Sequence, residues 1–514
     1  MSGPWTSRGE NHRVAVFNHK PKVVLKLELW PIQLYRLKAA KTEKRLGHKA
    51  ILREVYVAKN GIPDATRVEN LVGTMRAAVK NGEAERSVLE RIREDYGRLQ
   101  RADKPLFFRM IQRDLEAPPK SVEPLLKAAS ERLNDPDQWA RAMGDLRNAV
   151  RSPRVLLFRR FIGLGGGLKF LLDMRADAMA AQRESGDDLR PLDRDLVSLF
   201  ESWFHDGFLF LEEISLDSPF RQIEIIKNRD LVHPMTSLEE MGRRMGRDRR
   251  CFALYHRAMP EEPVVFIEVA LTQGVVRSIH EIIGDDALTV PEATPDTAIF
   301  YSINNTQNGL AGLGVGKVLI FQVVDFLRRE APEIKTFCTL SPMPGFWRRY
   351  LKPLLSDGKL KFKMTREGLN KLFDKKTQAL LRQEYHSYGM GEGDNFSEIL
   401  LNVFSSPTWT ANKLLVQSLA KPLRQLGYHY LAEEKDPLGR PLDPVANFHM
   451  GNGATLSINN VNFGANWSEM GVERSLSLMV NYIYSYDWRR QLKGSMTWLG
   501  GLLPGLARRK SDRR

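Results

Sequence analysis

The residues best suited by type and spacing to do chemistry lie at 309–317, GLAGLGVGK, between the apolar stretch TAIFYSIN (297–304) and the helix-like run VLIFQVVDFLRR. Glycines at 312, 314 and 316 bare backbone N–H groups, and a helix opening there turns its positive end toward an anion. Such a loop suits a phosphate or a pyrophosphate, and Lys317 adds a point charge. Two familiar phosphate loops do not fit. A Walker A loop needs a glycine five residues before the Gly–Lys pair and a hydroxyl after it, where this chain has Ala311 and Val318. A dinucleotide fingerprint needs G-x-G-x-x-G, whereas the glycines here fall at every second position.

What remains is Ala311-Gly312-Leu313-Gly314-Val315-Gly316, opening a helix after a strand. This resembles the pyrophosphate loop of the acyl-CoA acyltransferase (GNAT) fold, Gln/Arg-x-x-Gly-x-Gly/Ala, with a departure at Ala311. The resemblance implies CoA binding by residues 311–317. A tight strand-to-helix turn without a ligand is the competing reading of the loop taken alone.

The elements that must position this loop follow from the hydrophobic period. Residues 1–70 are basic and irregular, with one strand-like piece at 23–30. From about 71 to 190 apolar residues recur at three- and four-residue spacing, with a start signal at Asp135–Pro136, which predicts an all-helical domain. Inside it, GLGGG (163–167) joins helix to helix and reads as a tight turn rather than a phosphate site. From 191 to 487 the texture is mixed. DLVSLFESWFHDGFLFLEEI reads as helical. The runs CFALYHRA (251–258), PVVFIEVALT (263–272), TAIFYSIN and KTFCTLS (335–341) read as strands among helices. Helices resume over 366–431, and GATLSINNVNFG and SLSLMVNYIYSY read as closing strands. The fold class expected is an all-helical N-terminal domain followed by a mixed α/β domain, with a basic C-terminal tail at 488–514.

Composition limits the function. The 514 residues carry a net charge of +15, which first suggests nucleic acid. The excess sits at the two ends: residues 1–60 carry +9 and residues 488–514 carry +7, so the body is close to neutral. No zinc finger, RNP-type motif or basic heptad helix accompanies it, and no nucleic-acid partner is expected. Cys251 and Cys338 supply neither a disulfide framework nor zinc spacing. With no apolar run near the roughly 18 residues of a membrane span and a polar start, a cytoplasmic protein is expected. The segment WLGGLLPGLARRK (498–510) pairs an apolar half with a basic half, which suits an anionic membrane surface, but disorder or packing within an oligomer is the simpler reading.

Five segments in order carry a more specific likeness: HPMTSLEEMGRRMGRDRRCF (233–252), FYSINNTQNGLAGLGVGK, FCTLSPMPGFWRRYL (337–351), DPVANFHMGNGATL (443–456) and LMVNYIY (478–484). The series resembles the malonyl-CoA decarboxylase family from roughly 75 to 487, through SWFHDGFLFLE (202–212). That resemblance implies a helical domain that mediates assembly, as a dimer or tetramer, and a GNAT-like catalytic domain. It implies conversion of malonyl-CoA to acetyl-CoA and carbon dioxide with no metal and no organic cofactor. Its active-site serine and histidine map to Ser341 and His449. Alone, a Ser before Pro reads as a strand terminator and a His after Phe as a structural histidine. Tyr484 is a third candidate, as an oxyanion donor or a packed cross-strand aromatic. Asn447 and Asn452, flanking His449, read more simply as turn residues. The run Arg243, Arg244, Arg247, Arg249 and Arg250 reads as a solvated basic helix face, with CoA phosphates as the alternative. An acyl-CoA-dependent N-acyltransferase and a non-catalytic acyl-CoA sensor are the rival functions.

Overall fold

The computed structural model describes residues 52, 55–80, 85–204, 206–235, 237–284, 294–356, 362–391 and 395–484. The strand-like piece at 23–30 and the basic tail at 488–514 lie outside these residues.

Eight helices run between Ala65 and Trp203: α1 (Ala65–Lys80), α2 (Arg86–Gly97), α3 (Lys104–Asp114), α4 (Pro119–Glu131), α5 (Pro136–Ala149), α6 (Pro153–Phe161), α7 (Gly167–Ser185) and α8 (Arg190–Trp203). The apolar stripes of α1–α3 and α6–α8 meet in a core that contains Val72, Met75, Ile92, Phe107, Phe108, Phe158, Phe161, Leu171 and Leu196, while α4 and α5 pack on each other through Ala129, Ala142 and Leu146. Asp135 caps α5 through the N–H groups of Asp137 and Gln138, with Pro136 at the first helical position. The GLGGG segment is an inter-helix turn. Gly166 takes φ +74°, and a Cβ on Gly167 would lie 1.6 Å from the carbonyl oxygen of Phe161. Arg154, 1% exposed, ties α6 to its neighbours through Asp195 (2.6 Å) and Glu116 (2.6 Å).

Among the described residues nine strands follow: β1 (Leu209–Ile214), β2 (Arg249–His256), β3 (Val265–Thr272), β4 (Thr297–Asn305), β5 (Thr336–Thr339), β6 (Ser341–Pro342), β7 (Val461–Asn462), β8 (Met479–Val480) and β9 (Ile483–Tyr484). Six form one sheet in the order β1-β2-β3-β4-β5-β9, and β6-β8-β7 form a second. Neighbours in the large sheet are antiparallel except β4 and β5, which are parallel and joined by the helix Val315–Glu330. The strands read as continuous apolar runs because both faces are covered. Phe252, Leu254, Val265 and Ile267 join the main core, while Cys251, Ala253, Tyr255 and Phe266 pack with Ile223, Ile226 and Met241 on the other side.

Two sequence expectations are corrected. LFLEEI (209–214) is not a continuation of the helix before it but strand β1, because its backbone pairs along its whole length with β2; tertiary pairing overrides the helical composition. GATLSINNVNFG gives a single antiparallel bridge from Thr455 to Ile483, the short β7, and between them a 3₁₀ turn at Ile458–Asn460, where Asn460 accepts from both the backbone N–H and the hydroxyl of Ser457. Among the described residues no helix is long and apolar enough to cross a membrane.

The register of β4 and β5 matters most for the site. Thr297–Phe300 pair with Thr336–Thr339, and there the pairing ends. β4 continues to Asn305, while the other chain turns at Leu340 into β6 of the second sheet. The two strands therefore part beyond Phe300 and leave a wedge at the carboxyl end of the sheet, where open α/β sheets place their ligands.

Candidate active site

The glycine loop leaves β4 on the rim of this wedge. Gly312 (φ +81°) and Gly314 (φ +68°) hold left-handed conformations that a side chain would strain. Gly314 is the N-cap of the helix Val315–Glu330. Among the described residues no acceptor meets the N–H groups of Gly312, Gly314 or Gly316, the state expected of an anion cradle at a helix start. A cavity of about 490 Å³ opens against them, within the range of small-molecule sites. Its walls include Tyr301 and Ile303 of β4, Gly312, Gly314, Val315 and Gly316 of the loop, Ser341 of β6, and Asn447 and His449. Ala311, Leu313 and Lys317 are not part of that wall. Lys317 instead directs its ammonium over the Phe321 ring, 5.8 Å from the centroid, and burial lowers its pKa.

Ser341 and His449 come from segments 108 residues apart and meet in the cavity. Ser341 opens β6 just past the point where β4 and β5 part. His449 lies in the last turn of the helix Pro444–Gly451, whose start is capped by buried Asp443 accepting from the N–H groups of Val445 and Ala446. Ser341 Oγ is 3.3 Å from His449 Nε2, and Tyr484 Oη is 2.8 Å from His449 Nδ1. The Ser341 hydroxyl donates to Thr339 Oγ1 (2.9 Å), which also accepts from the Tyr482 N–H (3.1 Å). With the serine proton so placed, Ser341 Oγ accepts from a protonated Nε2, and Nδ1 accepts from the Tyr484 hydroxyl. The imidazole stacks on the Tyr482 ring, with centroids 4.8 Å apart. Burial pushes the His449 pKa down to about 3 and raises that of Tyr484, so both are neutral near pH 7. The site is thus a buried, uncharged hydrogen-bond chain facing the glycine loop. Among the described residues, no cluster of three or more His, Cys, Asp or Glu side chains could hold a metal ion.

Two family models match the chain: the malonyl-CoA decarboxylase C-terminal domain over residues 207–491 and the malonyl-CoA decarboxylase N-terminal domain over residues 120–204. The chain belongs to the malonyl-CoA decarboxylase family. The mitochondrial malonyl-CoA decarboxylase of Anser anser anser is 36% identical over 334 residues, covering 64% of this chain and 63% of that protein. That of Mus musculus is 37% identical over 333 residues, 64% of each chain. The match spans less than two thirds of these relatives' length. Among solved structures, the malonyl-CoA decarboxylase of Agrobacterium vitis superposes with a TM-score of 0.68 at 30% identity, covering 84% of this chain and 96% of that one. The malonyl-CoA decarboxylase of Rhodopseudomonas palustris gives 0.65 at 28% identity, covering 84% and 97%.

In this member of the malonyl-CoA decarboxylase family, several neighbours of the site escape sequence reasoning. Tyr482 could have been found from Tyr-x-Tyr spacing, since residues two apart on an extended chain share a face. Thr339 carries no such signal. Asn447 is helical and lines the cavity rather than shaping a turn. The arginine run is not a solvated helix face, because the helix Leu238–Arg243 ends and β2 begins within it. Arg244, 3% exposed, lies 3.3 Å from Asp230 and donates to the His233 carbonyl (2.6 Å), while Arg250 pairs with Glu213 and Glu330. Asp230 in turn accepts from the N–H groups of Val232 and His233 and from the side chains of Ser302 and Asn304. This network pins Val232, another wall residue, to β4.

Proposed function

We propose that this chain binds malonyl-CoA in the wedge between β4 and β5 and converts it to acetyl-CoA and carbon dioxide. The observation that carries the reading is the meeting of Ser341 and His449 in one cavity with the glycine loop. The loop's free N–H groups suit the CoA pyrophosphate, which leaves the malonyl group to reach the serine and histidine. Breaking the bond to the carboxylate sends its electron pair into the thioester carbonyl and forms an enolate. That carbonyl is itself the electron sink, so the reaction needs neither a metal nor an organic cofactor. A hydrogen-bond donor held at the carbonyl oxygen favours the enolate, and the Ser341 hydroxyl takes that role by turning its proton from Thr339 Oγ1 to the bound thioester.

The neutral state of His449 fits its part as proton donor. A thioester enolate carbon is a stronger base than imidazolate, so a neutral Nε2–H can protonate it. The resulting imidazolate recovers its proton from solvent. Tyr484, donating to Nδ1, keeps the proton at Nε2 before the reaction. Assembly as a dimer or tetramer through the helical region belongs to the same reading, supported by the exposed Leu126, Leu133 and Trp139 on α4, α5 and their connection. A cytoplasmic location is proposed with it.

The deciding experiment is acetyl-CoA formation from malonyl-CoA by the wild-type chain and His449→Ala. The variant is expected to lose about 10²–10⁴ in turnover. A wild-type chain that binds malonyl-CoA but releases no acetyl-CoA would replace this reading with acyl transfer, tested next with amine acceptors. Prolonged chelation is expected to leave the rate unchanged, and a rate restored only by added metal would overturn the cofactor-free mechanism.

A further inference from the structure

We infer that Arg175, a buried residue of the helical region, is a positioning residue for the glycine loop. The inference rests on the proposed CoA site and adds a group from outside the catalytic sheet. Arg175 lies on α7 and is 4% exposed. Its Nη1 donates to the carbonyl oxygens of Gly309 and of Ala311, the latter at 3.0 Å. Its Nε donates to Asp193 on α8 at 2.7 Å, which fixes the guanidinium plane. The backbone of the loop also rests directly on α7: a Cβ at Gly309 would lie 2.1 Å from the Leu172 carbonyl oxygen.

The geometry of a trans peptide turns this clamp into a statement about binding. The carbonyl and the following N–H of one peptide unit point in opposite directions. No peptide bond among the described residues is cis. Drawing the Ala311 carbonyl toward α7 therefore turns the Gly312 N–H away from α7. Gly312 lines the cavity, and among the described residues its N–H has no acceptor. The guanidinium also neutralises carbonyl dipoles that would otherwise repel an anion close by. Arg175 thus aims the cradle without touching the reacting atoms. Its effect belongs to the diphosphate of the ligand and not to the acyl end.

The test compares CoA with pantetheine, which lacks the diphosphate, by calorimetry on the full chain. Arg175→Met is expected to weaken CoA binding about ten- to a hundred-fold, the range for losing hydrogen bonds from a charged group. Pantetheine binding is expected to be unchanged, and Arg175→Lys should recover part of the loss. If Arg175→Met fails to fold, Arg175→Lys and Asp193→Asn carry the same comparison with smaller losses. Unchanged CoA binding, or equal losses for both ligands, would overturn the inference. A wild-type chain that binds no CoA would instead sink the proposed function, so the two failures are distinguishable.

Discussion

His449 shows how strongly a fold can redirect a side chain. From the sequence it is a histidine with an ordinary pKa near 6.5, suited to titrate at working pH. In the structure burial holds it near 3. The unfolded chain therefore takes up this proton before the folded one. The stability derived from the neutral ring is complete above about pH 6.5 and is lost as pH falls toward 3. His449→Gln is expected to flatten the dependence of unfolding free energy on pH across that window, as measured by denaturant titration. An unchanged slope would mean that His449 is not neutral in the folded protein. For the same reason, the pH profile of the proposed decarboxylation should show no limb near 6.5 assignable to His449. Motif order named Ser341 and His449 as candidates and left Tyr484 open between an oxyanion donor and a packed aromatic; the structure brings the three within hydrogen-bond reach. Their mutual hydrogen bonds were not legible, because Tyr484 and Tyr482 reach His449 only through the antiparallel return of the last strand onto β5.

At the scale of elements, the helix Pro444–Gly451 carries His449 on about two capped turns. Asp443 holds its start, and burial lifts that carboxyl to about 6 despite its backbone donors and Tyr430. Asp443→Ala is expected to cost about 1–2 kcal/mol of stability and to lower turnover more than it weakens CoA binding, because the helix carries the histidine but not the glycine loop. Thermal unfolding and a steady-state comparison of kcat with KM check both parts. A loss confined to CoA affinity would contradict this placement. The strands β2, β3 and β4 were legible because both faces are buried and the runs are apolar throughout. β1 was not: LFLEEI has helical composition, and only its pairing with β2 makes it a strand. The short strands β6 to β9 lay within segments whose extended character was visible, but their division between two sheets depends on contacts far apart in the chain.

For the whole molecule, the division into helical and mixed halves was legible in the change of hydrophobic period, whereas the contact between the halves was not. Arg175 sits in RADAMAAQRE, a stretch whose pattern says only that a helix is present. Its partners at Gly309 and Ala311 are more than 130 residues away. The packing of Gly309 against the backbone of α7 has a consequence for the time course of association. A loop seated on a helix before any ligand arrives has little ordering left to do, so the entropy of shaping it falls within folding and not within the encounter. Stopped-flow mixing of CoA with the free chain should then give a single exponential whose rate rises linearly with CoA concentration. A rate that levels off would reveal a slow rearrangement after the first collision, and with it a cradle that forms around its ligand.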